Sequence, residues 1–403
     1  MRKLIYKVRE IPLASETFVV SHIAHAIKNN FFVEIIADKT YPAHTSSQAA
    51  LIEEMELLEK VRHYTSPSIK SKRIKEVIAL FVRYPSLVYF FVKLCSLYKK
   101  YTWEYLFYLK FYKSYTAQDV FHVHFAKAMG PLLNLKKIGF LKSKIVVTFH
   151  GYDAYALPEG AALSELIKDY KTHIHAITVN SEFLKNQLIS KGFDGNSITV
   201  VPVGIDTLYF ANNDKIKQPR TPFKMISVGR LIPLKGHIYG IQVVKQLVEK
   251  GYDVKYTIVG YGEAMETIKN TIATLSLQDH VLLVGLQTQE AIKALLQESD
   301  VFLMTSTYNE KGRREALGIV SLEAQASGVP VIGFDSGGFP ETIDPNTTGF
   351  IVPDRDVDAM AKAVEKLMVD NELLQSMKEK AIVHAHTHFD IRKVAEDYFK
   401  LYT

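Results

Sequence analysis

The sequence predicts an α/β protein built from two doubly wound parallel-sheet domains, and three observations carry that prediction. Short Val- and Ile-rich segments alternate with amphipathic helical stretches in both halves of the chain. At 403 residues the chain is long for one core and comfortable for two of roughly 200 residues each. Between the halves, Val200–Asp206 interrupts a strand with Pro202 and Gly204, and a polar stretch from Ala211 to Thr221 follows. The two domains are expected to face each other across a cleft.

The elements follow in order. Leu4–Val8 reads as a first strand, followed by a helix from about Thr17 to Asn29 and a second strand at Val33–Ala37. Strands resume at Val120–Val123, Ile145–Phe149, Ile174–Val179 and Ile198–Val201. The second half predicts strands at Met225–Val228, Lys255–Val259, Val281–Val284, Val301–Met304, Val329–Phe334 and Phe350–Val352. Helices fill the gaps near 236–250, 263–275, 288–297 and 318–327. The tail from Glu372 to Tyr402 has room for two helices, broken near Thr387–Asp390.

Composition narrows the function classes. A hydrophobic content of 47% supports real cores, and the single Cys95 removes any internal disulfide framework and suits a reducing compartment. The opening residues read as a strand rather than a signal peptide, and no apolar run reaches the roughly 18 residues of a membrane-spanning helix. With no secretion signal read, the glycosylation sequon at Asn346–Thr348 carries no weight. The net charge of +6 conceals an asymmetry: residues 1–200 hold 27 Lys/Arg against 17 Asp/Glu, and the remainder 22 against 26. Within Lys60–Lys144 the count is 17 against 3, which points to an anionic partner for that half. Aromatic residues interleave with lysines there, from Tyr84 to Lys113, as suits a membrane interface. Burial of an aromatic helix pair is the plain alternative, and no nucleic-acid motif accompanies the charge, so no nucleic-acid partner is expected.

The chemistry-bearing residues cluster in a few motifs. Glu315 and Glu323 lie eight positions apart, so a continuous helix would set both carboxylates on one face. Gly318 argues for a helix starting near itself, leaving Glu315 on the preceding loop and Glu323 inside. Gly229-Arg230 and Lys235-Gly236 follow the first strand of the second domain, where open α/β sheets bind ligands. Two cations there suit a diphosphate, Arg as a fork and Lys as a point charge. Gly337-Gly338 precedes a short helical turn through Pro340-Glu341-Thr342, and such a turn directs backbone N–H groups at an anion. Gly260-Tyr261-Gly262 is not a dinucleotide fingerprint, and no Walker phosphate loop or His-Glu-x-x-His metal motif occurs. His384, His386 and His388 read as surface. No metal and no cofactor is expected.

These motifs, with Thr148-Phe149-His150-Gly151-Tyr152-Asp153, resemble the family 4 retaining glycosyltransferases of GT-B fold in residue type and order. The likeness is strong from about Val200 to Val352 and patchier before Thr148. It implies a nucleotide-sugar donor whose diphosphate meets Arg230 and Lys235, with Gly229, Gly262, Gly337 and Gly338 lining the donor site. It implies that Glu323 meets the ribose, Glu315 the sugar and His150 the sugar or the reacting oxygens. It implies too that the last helix, about 388–403, completes a first domain of residues 1–203, with 204–387 forming the donor domain. Lys311-Gly312-Arg313-Arg314 departs from the Gly-aromatic-Pro sequence of many relatives, and could favour an acidic donor or added phosphate contacts.

The segment Ser15-Glu16-Thr17 resembles the capsule and exopolysaccharide branch of that family. Ser15 is expected to cap the following helix, and Ser15 and Glu16 are candidates for acceptor contact. Asp153 is read as orienting a loop or positioning the acceptor. Of His122 and His124, one is expected to face the cleft, His124 as an acceptor contact, while the other packs. The resulting expectation is a metal-independent enzyme that moves a sugar from a UDP- or GDP-linked donor to a lipid-linked or cell-envelope polysaccharide acceptor. It would work in the cytoplasm, peripheral on the inner face of the membrane. A GT-B phosphorylase, an enzyme making a small soluble glycoside, and a noncatalytic nucleotide-sugar-binding scaffold are the alternatives.

Overall fold

The computed structural model describes residues 3–13, 16–211 and 221–402, and divides into two compact units. The first comprises Met1–Val179, Lys185–Val200 and Tyr398–Thr403; the second comprises Asn180–Leu184 and Val201–Asp397. Each is built on one all-parallel sheet.

In the first unit the strands are β1 (Lys3–Ile11), β2 (Phe32–Thr40), β3 (Val61–Arg62), β4 (Val120–His124), β5 (Lys144–Phe149), β6 (Ala176–Val179) and β7 (Ile198–Val200). Their order across the sheet is β3-β2-β1-β4-β5-β6-β7. The second unit contains β8 (Phe223–Val228), β9 (Val254–Val259), β10 (Val281–Gly285), β11 (Val301–Met304), β12 (Val331–Phe334) and β13 (Gly349–Val352), in the order β10-β9-β8-β11-β12-β13. Strands covered on both faces read as near-continuous apolar runs, and β4, β11 and β12 are buried along their whole length. In both sheets the chain winds outward, returns to the middle and winds the other way. The direction reverses between β1 and β4 and between β8 and β11, and crevices beyond the carboxyl ends of such strand pairs bind ligands.

The second unit's core cluster lies on one face of its sheet, where Met225, Tyr256, Val301 and Ile332 meet Val243, Leu247, Met360 and Leu374 from the helices. At the amino-terminal edge, Asp300 accepts from the backbone N–H of Lys224 at 2.9 Å and pairs with the buried Lys378 at 3.2 Å. That pair ties the helix Asn371–His388 to the end of the sheet remote from the ligand crevice. The tail forms two helices, Asn371–His388 and Ile391–Tyr402, with Asp390 at the break. Phe31, Phe399 and Tyr402 pack ring on ring beside β1 in the first unit.

Between β3 and β4 stand three helices, Lys70–Arg83, Ser86–Tyr98 and Glu104–Tyr112. Here the aromatic-basic stretch divides. Tyr105, Leu106, Phe107, Leu109 and Tyr112 are buried, so the third helix is core, whereas the first two bury only five side chains between them. Among the described residues no helix is long and apolar enough to cross a membrane.

Candidate functional site

In the second unit the loops after β8, β9, β11 and β12 converge. After β8 the chain runs through Gly229 and Arg230 into a turn at Pro233–Lys235, then Gly236 and the helix His237–Glu249. Gly236 is left-handed at φ +61°, and a Cβ there would stand 2.1 Å from the Thr305 carbonyl. The Thr305 hydroxyl donates to the Lys235 carbonyl at 2.8 Å, so the loop after β11 holds the lysine in place. The Lys235 stem passes Gly229 at 3.6 Å from where a Cβ would be, and its ammonium donates to the Glu315 carboxylate.

Glu315 lies on the loop before the helix Ile319–Ala326, which begins after the left-handed Gly318. Glu323 lies inside that helix, as its spacing implied. Burial acts to raise the Glu315 carboxyl, but Lys235, by charge and hydrogen bond, together with Arg230 and Arg313, outweighs it and holds the group below the ordinary carboxylate range. Glu323 has the opposite environment. Half-buried and without a hydrogen-bond or ion-pair partner among the described residues, its carboxyl is raised by burial to about 7. One fold thus holds two carboxyls apart in character, one ionised and cation-bound, the other near-neutral and open to a ligand's hydroxyls. Arg230 is exposed, close enough to Glu315 to act on it by charge.

The glycines of this region are explained by backbone approaching backbone. A Cβ at Gly260 would stand 1.8 Å from the Gly229 carbonyl, and one at Gly262 2.4 Å from that of Leu231. Gly337 and Gly338 press on the Glu315 and Ala316 carbonyls, each 2.0 Å from a would-be Cβ. The Gly338 N–H donates to the Glu315 carbonyl at 2.9 Å, which corrects one expectation: that amide is committed to holding the Glu315 loop rather than offered to an anion. The turn beyond it, Phe339–Thr342, is a single 3-10 turn.

The sequence did not foretell an arginine–tyrosine stack beside this loop. Arg314 and Arg355 lie over the Tyr308 ring, 4.9 and 3.9 Å from its centre, and Arg355 donates to the Thr307 hydroxyl and the Tyr308 carbonyl. Arg314 also approaches Asp354 at 3.6 Å and donates to Ser336 at 3.3 Å. At least one of the two extra arginines thus shapes the loop itself. His237, beside Lys235, was likewise unforeseen; burial, with the Lys235 charge next, pushes its imidazole down to about 4.

The first unit places a second group beyond β4 and β5. His150 follows β5, and Gly151 at φ +119° turns the chain into a short helix, Tyr152–Tyr155. Asp153 is 1% exposed and accepts from the backbone N–H groups of Ala126 at 2.8 Å, His150 at 3.0 Å and Gly151 at 3.1 Å. With its oxygens so committed it positions the His150 loop, and the alternative of acceptor contact falls away. Substituting Ala for Asp153 strands three donors and is expected to cost about 3 kcal/mol or more, read as a lower midpoint in urea unfolding.

His122 and His124 correct another expectation. Residues two apart on a strand project to the same face, so they do not divide between solvent and core. Both are buried, their rings stacked 4.2 Å apart at centroids. His122 bonds the Tyr402 and Thr148 hydroxyls, each at 2.7 Å, and the His124 Nδ1 meets the His150 Nε2 at 3.0 Å. His150 Nδ1 is enclosed without a protein partner, and burial, then His22, pushes this imidazole down to about 3, so it is neutral. The ring nitrogens of His22, His122 and His124 lie within 4.8 Å of one another. Glu16 holds the N-cap position of the helix Thr17–Lys28, where Ser15 was expected; Ser15 lies outside the described residues. Of the tail histidines, His386 and His388 are exposed and His384 is half-buried, and Asp390 stands 3.6 Å from His386.

Comparison with known proteins bears on both units. Residues 16–208 match the family described as Glycosyltransferase Family 4, and residues 210–384 that described as Glycosyl transferases group 1. The chain is 30% identical to the amylovoran biosynthesis glycosyltransferase AmsK of Erwinia amylovora over 423 aligned positions, covering 98% of each. It is 27% identical to the putative colanic acid biosynthesis glycosyltransferase WcaL of Escherichia coli K12, covering 88% of this chain and 87% of that one. In fold it is similar to Anabaena HepE, solved in complex with UDP, with a TM-score of 0.75, 16% identity and 99% of both chains covered.

Proposed function

We propose that this chain, which belongs to the family 4 glycosyltransferases, transfers a sugar from a UDP- or GDP-linked donor with retention at the anomeric carbon. Its acceptor is a lipid-linked or cell-envelope polysaccharide intermediate, and it works without a metal, peripheral on the inner face of the membrane. The observation that carries the reading is the pairing of Lys235 with Glu315, Arg230 nearby, beyond the switch between β8 and β11.

In that reading the acceptor hydroxyl bonds to the anomeric carbon from the side the phosphate leaves, and its proton passes to the departing phosphate oxygen. Charge grows on the diphosphate, and Lys235 and Arg230 are the groups placed to stabilise it. Lys235 is held by Glu315 until the donor arrives, so the cation is positioned before charge develops. Glu315 meets hydroxyls of the donor sugar, and the neutral His150 meets the sugar or the reacting oxygens without adding charge. Metal independence is supported by the cations beside the diphosphate site, and of the three clustered histidines His122 has both ring nitrogens in bonds, to the Tyr402 and Thr148 hydroxyls. The polysaccharide acceptor is favoured by AmsK and WcaL, both named for exopolysaccharide synthesis.

The test is to incubate the purified chain with a panel of UDP- and GDP-sugars and follow release of the nucleotide. Turnover of one donor supports the reading; binding of donors with no turnover, with or without membrane extracts as acceptor, leaves only a scaffold.

Glu323 gives the reading a pH dependence. Burial raises its carboxyl from the ordinary 4.5 to about 7, so it contributes stability below 4.5 that is lost as pH rises through about 7. Ribose hydroxyls donate to the ionised form, so nucleotide binding releases a proton and affinity rises with pH across that point. Calorimetry on either side of neutrality should show tighter nucleotide binding at the higher pH. Glu323→Gln should remove the part of the slope that does not come from the diphosphate's own ionisation. The same slope in both proteins would take the ribose away from Glu323.

A further inference from the structure

The exposed side of the helices Lys70–Arg83 and Ser86–Tyr98 is unlike the rest of the molecule's surface. Of 21 exposed large apolar side chains among the described residues, 11 lie between Ile69 and Trp103, a stretch of 35 residues. In the first helix Val77 and Leu80 are buried, while Ile74, Ile78 and Val82 recur every four residues on the other side, 50%, 57% and 80% exposed. In the second, Leu87, Phe91 and Leu94 point inward, and Val88, Tyr89 and Val92 stand exposed. Monomeric proteins rarely leave so much aliphatic surface in one place without a use.

The charge around these side chains is one-sided. Residues 69–103 carry eight Lys/Arg and one acidic residue, Glu76. Arg73 pairs with Glu104 and Glu76 with Lys110, which leaves Lys70, Lys72, Lys75, Lys99 and Lys100 without a carboxylate partner among the described residues. The Lys93 ammonium lies over the Tyr89 ring at 4.6 Å and donates to the Ile138 carbonyl at 3.5 Å.

We propose that this face docks on an anionic phospholipid bilayer, with Ile74, Ile78, Val82, Val88, Tyr89 and Val92 entering the headgroup–acyl boundary and the lysines engaging anionic headgroups. A second copy of the chain is a poor occupant, since a two-fold interface would set this excess positive charge against itself. Nucleic acid would satisfy the lysines and leave the aliphatic side chains in water. The proposal deepens the membrane placement stated above and rests on that reading for its purpose, though not for its physics.

Flotation of the full chain with phosphatidylcholine vesicles, alone or mixed with phosphatidylglycerol, is the test. The wild-type chain should rise with the mixed vesicles at low salt and keep part of that binding at high salt, because insertion is not screened. Ile78→Glu with Val82→Glu, which makes an exposed surface more polar and should leave the thermal midpoint unchanged, should lower partitioning on the order of tenfold per side chain and remove the salt-resistant part. Lys70→Glu with Lys72→Glu and Lys75→Glu should abolish the preference for phosphatidylglycerol. A wild-type chain that stays at the bottom of the gradient overturns the proposal, as does equal flotation of all three proteins. A wild-type dimer that Ile78→Glu dissociates, with no flotation, assigns the face to a second copy instead. Donor turnover in the same preparations separates the two readings: a chain that floats but turns over no donor upholds the docking face and sinks the reaction, and the reverse result does the opposite.

Discussion

Lys235→Ala is expected to lower kcat by roughly 10²-fold or more, which corresponds to about 2.7 kcal/mol lost from the transition state. Two losses combine in it. The growing negative charge on the leaving diphosphate loses its nearest cation, and Glu315 loses the partner that holds it ionised and oriented. Arg230→Ala should have an effect of the same order mainly through the first route, because Arg230 acts on Glu315 by charge and less strongly than Lys235 does. Lys235→Arg should restore the charge but not the geometry, since a planar fork does not present the point charge with which the Lys235 ammonium meets Glu315. Initial rates at saturating donor are the readout. Near-wild-type turnover in both alanine variants would remove the diphosphate grip from these residues.

The two glutamates should separate binding from transfer. Glu323→Ala is expected to weaken the bare nucleoside diphosphate by about tenfold, since a hydroxyl–carboxylate contact is worth about 1.5 kcal/mol or more. Glu315→Ala should leave nucleotide affinity within about twofold and lower kcat by about 10²-fold, because its proposed partner is the sugar. Its loss also frees Lys235 to approach the diphosphate, which argues against weaker nucleotide binding. Calorimetry on the nucleotide and steady-state rates on the donor resolve both; the reverse pattern exchanges the two roles.

The second unit was legible in the sequence because its signals are local. Val301–Met304 reads as a strand from its own residues, and Gly318 marks the start of the Glu323 helix without help from distant chain. The first unit was less so where contacts are long-range. The stacking of His122 on His124 follows from strand periodicity, yet His122 is held by Tyr402, 280 residues away. The sequence left Asp153 between orienting a loop and positioning the acceptor, and the backbone N–H groups of Ala126, His150 and Gly151 decide for the loop. Gly337-Gly338 had the composition of an anion-binding turn, and the close passage of Glu315 and Ala316, which takes up the Gly338 amide, is visible only in the fold. In the aromatic-basic stretch, composition is nearly uniform from Tyr84 to Lys113. What separates the core helix Glu104–Tyr112 from its exposed neighbours is tertiary packing, which no local pattern announces.

The central claim, transfer from a nucleotide sugar with retention, is tested most directly by proton NMR of the first sugar released from an α-linked donor. Where no acceptor is supplied, water takes its place, so the experiment does not depend on knowing the acceptor. The first-formed sugar should carry the α configuration and convert to the equilibrium mixture only afterwards, with nucleoside diphosphate appearing in step. A β sugar formed first, or a donor left intact while it binds, would contradict the account.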